Sequence, residues 1–540
     1  MNIVEILSVL SELMTCLGST DKKTTRGENM KNKFIFSLCL AMLTASLSGC
    51  GAQAADATNA ANSETPAVVE TPATPAETVA DTPVVAEVPT KEDIITNVVL
   101  EGSIFSGLKD KSIETSVAYN PDWITVQDNT IYNSDLAKFC SILCTDTYFR
   151  AKDLDKNTQN RILYEGENPE EYTNTAFLSS LGFTDVQFVE TYKAGEYTSD
   201  TNDSATILMG YCNVDDKYDV FAIALRGCFS AGEWVSAFDI GNDTQDYIDI
   251  TGEHPEWTKG EQHKGTSIAA QRAGYFINEF INSHVDSSRQ TCVLLTGHSR
   301  GGSIANLIGA DFENNDSIRS YTYTYNAGGM TCDANAKDYS TIFNICDAND
   351  LFENVTPFAK NSFVRYGKDL QLDILSSNEA KQVLSSLRGT DDVVALSVDN
   401  KAKYQELFAN RFSSRDSLYE YRNLVTAFDN KADAEEYAKE CITLIGSEKG
   451  LGLDSYCKID DNITVNDGKY EVSLTYCDAA ILISFGKIFA YGDAAYQGMA
   501  RLFISDADAC AIAEFIMENI SDINAGHRII NNYAIADLLK

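Results

Sequence analysis

Ser299 stands in the run Gly297-His298-Ser299-Arg300-Gly301-Gly302, a spacing suited to nucleophilic chemistry. A serine hydroxyl attacks an acyl carbon only when a base takes its proton and an acid orients that base. On a sharp turn the residues two before and two after the serine lie too close for side chains. Glycine at 297 and 301 removes that clash and lets the hydroxyl project. Histidine is scarce, with five in 540 residues. His298 adjoins the serine and is expected to point elsewhere as a packed neighbour. His254, His263 and His284 precede the serine, and only His527 follows it.

The elements around Ser299 must put it at the edge of a sheet. Ala273, Phe276, Ile277, Phe280 and Ile281 fall on one face of an amphipathic helix. The run Cys292-Val293-Leu294-Leu295 is short and apolar enough for a buried strand. After the serine, Ile304, Leu307 and Ile308 resume helical spacing. The sequence therefore predicts helix, strand, G-x-S-x-G and helix, the context that the nucleophile of an α/β-hydrolase requires. A helix N-terminus behind the serine would add a positive dipole where negative charge develops. Such enzymes order their residues serine, acid, histidine, which makes His527 the candidate base. The acid is expected at the end of a strand, and Thr341–Cys346 reads as one. Asp347 and Asp350 both follow it, and position alone leaves both open.

The order of pieces resembles the class 3, or fungal-type, lipase family of α/β-hydrolases. The matching pieces are Val220 to Cys228 with Arg226-Gly227, then Trp234 and Asp239, and His263-Lys264-Gly265. Gly297 to Gly302, Asn349-Asp350-Leu351, and His527 with Tyr533 complete the set. The resemblance covers roughly residues 130 to 373 and 505 to 540. It implies an α/β fold with a mostly parallel central sheet flanked by helices, and a triad of Ser299, Asp350 and His527. It also implies an oxyanion hole made by the backbone N–H groups of Cys228 and Arg300. Acyl esters, glycerolipids among them, are the implied substrates, with water as acyl acceptor and no cofactor. The chain departs from the family in two side chains, cysteine at 228 and arginine at 300. Arg300 is expected either to be neutralised by a nearby acid or to meet an anionic head group. A phospholipase, a small-ester carboxylesterase and a non-catalytic lipid-binding lipoprotein are the alternative readings.

Asp350 and His527 lie 177 residues apart, so residues 374–505 read as a large mixed α+β insertion, expected to cap the site. Within it, Lys401–Phe412 and Ala432–Ile445 look helical, and Tyr456–Cys477 looks like a hairpin turning at Asn466-Asp467-Gly468. Ala479–Phe485 is its most apolar piece, more in keeping with buried core than with a lipid-contacting face. Residues 93–373 and 506–540 form the expected hydrolase core, with Phe363–Leu372 continuing its sheet.

The front of the chain reads as an address. Lys31 and Lys33 precede the apolar run Phe34–Leu47, which is too short to span a bilayer, and Leu47-Ser48-Gly49-Cys50 closes it. Residues 30–49 resemble a bacterial lipoprotein signal, which implies that Cys50 is lipidated and anchors the protein outside the cytoplasm. Residues 1–29 then read as an over-extended start. Residues 50–92, rich in Ala, Thr, Pro and Glu, form an extended tether. The net charge of −37 repels phosphate backbones, which argues against a nucleic-acid partner. No H-E-x-x-H or C-x-x-C spacing occurs, so neither a catalytic nor a structural zinc site is expected.

Overall fold

The computed structural model describes residues 91–101, 113–148, 161–164, 176–190, 204–241, 262–354, 363–390, 397–412, 416–446 and 451–539. The expected leader, Cys50, most of the tether, and His254 lie outside them. Among the described residues no helix is long and apolar enough to cross a membrane.

Strands β1 (Ile94–Glu101), β2 (Ile113–Tyr119) and β3 (Arg161–Tyr164) form a small antiparallel sheet. The central sheet contains β4 (Asp185–Glu190), β5 (Thr206–Val214), β6 (Tyr218–Leu225), β7 (Gln290–His298), β8 (Ile318–Tyr325), β9 (Ile342–Asp347) and β10 (Lys368–Leu372). Its spatial order is β10-β9-β8-β7-β6-β5-β4. Strands β6 to β10 run parallel, and β5 and β4 add an antiparallel edge.

Period-two alternation sorts the strand residues onto two covered faces. Val220, Ala222, Ala224, Cys292 and Leu294 meet the helices Ser134–Asp146 and Ile529–Ile535. Phe221, Ile223, Leu225, Val293 and Leu295 meet the helices Lys264–Asn282 and Arg300–Glu313 on the other face. Strands β6 and β7 are therefore apolar on both sides over Val220–Leu225 and Cys292–Leu295, which explains why β7 reads as an unbroken apolar run.

Two expectations need correction. Phe276 does not join the buried stripe of its helix; it lies beside Tyr275, and both are exposed. The strand expected from Phe363 begins only at Lys368, after Gly367 adopts a left-handed φ of +84°.

A separate apolar core follows. The antiparallel sheet β11 (Arg422–Phe428), β12 (Cys457–Asn466) and β13 (Lys469–Tyr476), in the order β11-β13-β12, packs with the helices Val398–Arg411, Lys431–Ile445, Asp478–Tyr491 and Asp493–Leu502. Ala479–Phe485 is helical and buried within it. This core crosses residue 505, since Ala509, Ile512, Phe515, Ile516 and Ile523 of the helix Ala507–Gly526 belong to it. At the other end, Ile374, Ala380 and Leu384 pack with the central sheet's core instead.

Candidate active site

Ser299 occupies the single residue between β7 and the helix Arg300–Glu313, with φ +58° and ψ −128°. Such a backbone costs on the order of 1–3 kcal/mol and persists only where its surroundings enforce it. Here the Ser299 N–H donates to the Tyr325 carbonyl at 2.8 Å, and the Ser299 carbonyl accepts from the Ser303 N–H at 3.0 Å. The flanking glycines are a packing necessity. A Cβ on Gly297 would lie 2.2 Å from the Gly301 carbonyl oxygen, and one on Gly301 would lie 2.3 Å from that of Leu225.

Asp350 follows the end of β9, and its N–H donates to the Asp347 carbonyl at 2.8 Å. One carboxylate oxygen, Oδ1, accepts the Phe352 N–H at 3.0 Å; Oδ2 lies 2.7 Å from His527 Nδ1. His527 caps the C-terminus of the helix Ala507–Gly526, and both side chains are buried. Nδ1–H donating to Asp350 leaves Nε2 as the nitrogen carrying the lone pair. Ser299 and His527 line one cavity together with Cys228 and Arg300.

Asp347, the other acid left open by the sequence, belongs to a different network. Its Oδ1 accepts the Asn349 N–H at 3.0 Å, and its Oδ2 accepts from Asn531 Nδ2 at 3.2 Å. Burial pushes its carboxyl up to about 7, reinforced by Asp350, against the hydrogen bonds it accepts. Tyr533, which the family resemblance grouped with His527, reaches away from the cavity to the Thr115 hydroxyl at 2.9 Å.

His298 acts as a brace that the sequence did not reveal. Its Nε2 is 2.8 Å from the His527 carbonyl oxygen and its Nδ1 is 2.8 Å from the Tyr148 hydroxyl. Burial holds this imidazole well below the ordinary histidine range, and His527 beside it adds to that. A neutral ring can satisfy both contacts in one tautomer only: Nε2–H donates to the carbonyl, and Nδ1 accepts from Tyr148. Tyr148 and His298 thus fix the backbone that carries His527. A sequence scan could have flagged the histidine, but nothing in it points to Tyr148.

On the opposite wall, Ser230 caps the helix Ala231–Phe238 in a reciprocal capping box with Glu233. Glu233 is buried, accepting from Arg226 Nη2 at 3.0 Å and from the Ser204 hydroxyl at 2.6 Å. Burial alone would raise its carboxyl, but Arg226, Arg300 and the hydrogen bonds of Ser204 and Ser230 hold it below the usual value. The Arg300 side chain is buried too, donating to the Ser204 carbonyl at 2.7 Å and to the Ser236 hydroxyl at 3.3 Å. Those contacts, with Glu233 near, are those of a cation neutralised inside the protein rather than of a head-group receptor. Cys228 turns its thiol to the Glu233 carbonyl at 3.5 Å. His263 caps the helix Lys264–Asn282, accepting from the Thr266 N–H, and burial pulls its imidazole down to about 4. Asp239 pairs with Lys264 at 2.6 Å. Among the described residues no group of three or more His, Cys, Asp or Glu is placed to hold a metal ion.

Residues 222–356 match the family described as lipase (class 3). No curated relative matches the chain. Among solved structures, Rhizomucor miehei triacylglyceride lipase is similar at 15% identity and TM-score 0.28, covering 44% of this chain and 78% of that one. A lipase from Rhizopus microsporus var. chinensis is similar at 16% identity and TM-score 0.28, covering 44% and 73%. A triacylglycerol lipase from Penicillium expansum is similar at 15% identity and TM-score 0.28, covering 45% and 81%. The match over residues 222–356 supports the class 3 lipase family, and the chain is a lipase-like ester hydrolase.

Proposed function

We propose that the protein hydrolyses acyl esters, glycerolipids among them, through a covalent acyl-enzyme formed on Ser299. The observation that carries this reading is the 2.7 Å contact of His527 Nδ1 with buried Asp350, on an imidazole that shares a cavity with the strained Ser299. In the first half-reaction the Ser299 oxygen bonds to the acyl carbon while His527 Nε2 takes its proton. The ester C–O bond then breaks, and the alcohol leaves with that proton. Water repeats the sequence on the acyl-enzyme and releases the acid. Asp350 holds the imidazole in the required tautomer and stabilises it while it is charged. The backbone N–H groups of Cys228 and Arg300 receive the oxyanion, and the N-terminus of the helix Arg300–Glu313 favours the same charge.

The test is hydrolysis of p-nitrophenyl butyrate and tributyrin, with fluorophosphonate labelling of the same samples. Ser299→Ala is expected to lose labelling and to lower kcat by about 10⁴-fold or more. Labelling that persists in the variant would place the nucleophile elsewhere. We also propose that Cys50 carries a lipid anchor outside the cytoplasm, on the strength of the leader sequence. Growth with radiolabelled palmitate should label the wild type and not Cys50→Ala; an unlabelled wild type would remove the anchor.

A further inference from the structure

The cavity beside Ser299 has a volume of about 60 Å³. That is a small space, a few water molecules in size and partly open to solvent. An octanoyl group, with nine heavy atoms against five in butyryl, needs nearly twice the space of the shorter chain.

The wall that sets the limit is aromatic. Trp234 and Phe238 come from the helix Ala231–Phe238, and Phe352 lies against the His527 ring with centroids 4.6 Å apart. Behind all three stands one residue of the second core, Phe489. Its ring stacks on Trp234 at 5.3 Å and on Phe238 at 6.0 Å, and meets Phe352 edge-on at 4.7 Å.

The wall is also fastened. The helix Ala231–Phe238 is tied at its start by the buried Arg226–Glu233 pair. On one side the helix Lys264–Asn282 approaches so closely that a Cβ on Gly265 would lie 2.0 Å from the Ser236 carbonyl oxygen. On another the helix Asp478–Tyr491 presses in, and a Cβ on Gly486 would lie 2.8 Å from the Trp234 carbonyl oxygen. Trp234 and Phe238 therefore cannot retreat without displacing Phe489 and the helix that bears it.

Building on the serine-hydrolase reading above, we propose that Phe489 is a specificity-determining residue that restricts the enzyme to esters of short acyl groups, about two to four carbons long. It acts through Trp234, Phe238 and Phe352, as the backstop that holds this wall of the cavity in place.

The experiment measures kcat/KM of the full chain on p-nitrophenyl acetate, butyrate and octanoate. Wild type should lose about tenfold or more between butyrate and octanoate, and Phe489→Ala should raise the octanoate-to-butyrate ratio about tenfold. Phe489→Leu keeps apolar filling but loses the ring, so it should shift the ratio the same way by less; it serves if the alanine variant does not fold. A wild type that turns over octanoate as well as butyrate, or a ratio unchanged in the folded variants, would overturn the proposal. Absence of any Ser299-dependent turnover, on all three esters, would overturn the serine-hydrolase reading itself and this proposal with it.

Discussion

The proposed nucleophile and the proposed base are held by different means. Ser299 is fixed mostly by its own neighbourhood: β7, the two glycines and the first turn of the next helix fall within residues 290–313, and the other contacts come from the ends of the two strands beside β7, at Tyr325 and Leu225. His527 is fixed by partners from distant parts of the chain. Asp350 lies 177 residues away, His298 lies 229 away, and Tyr148 reaches it through His298. A locally enforced turn is rigid whenever the sheet forms. A base held by long-range hydrogen bonds depends on every element that brings a partner, so small losses there should reach catalysis before they reach stability.

Three measurements sharpen or break that contrast. The largest effect is expected from Gly301→Ala. Its Cβ would meet the backbone carbonyl oxygens of Leu225 at 2.3 Å and Arg226 at 2.5 Å, with no flexible side chain to give way. Urea unfolding should show a loss of about 1–3 kcal/mol or more, with activity falling alongside. Near-wild-type stability would mean the elbow has slack.

A smaller and differently distributed effect is expected from Tyr148→Phe. It leaves His298 Nδ1 without its donor and no longer favours the tautomer that donates to the His527 carbonyl. We expect kcat to drop about tenfold with KM nearly unchanged, which steady-state kinetics on a short ester would show. A rise in KM at constant kcat would assign Tyr148 to substrate binding instead.

The smallest effect concerns Asp347, which lies next to the acid but outside the pair. Its folded value of about 7 exceeds the ordinary 3.8, so between those pH values the folded state keeps a proton that the unfolded state has released. This group's contribution to stability therefore falls as pH rises from about 4 to 7. Asp347→Asn removes that loss. In paired unfolding curves at pH 5 and pH 7.5, the variant should improve relative to wild type at the higher pH. A constant difference would show that Asp347 is ionised throughout.

The same contrast explains what could be read from the amino-acid order. The elbow announces itself because its geometry needs glycine at fixed spacing and apolar residues on either side, all within one window. His527 was legible by elimination, as the only histidine after the serine. Asp350 and Asp347 could not be separated by position, because what distinguishes them is which one the imidazole meets in space. Tyr148, Glu233 and Phe489 gave no signal, since each takes its role from a partner that the fold brings close. Phe276 misled for the opposite reason: helical spacing identifies a face, but neighbouring elements decide how wide a face is covered.

His527 closes a helix whose apolar side is built into the second core. For protein engineering this means that the residues after 397 are no detachable accessory. A chimera that exchanged the outer lobe and kept residues 507–523 would leave Ile512, Phe515 and Ile516 facing foreign side chains. The misfit would be passed directly to the imidazole four residues beyond. A workable graft has to carry that helix along with the lobe it serves.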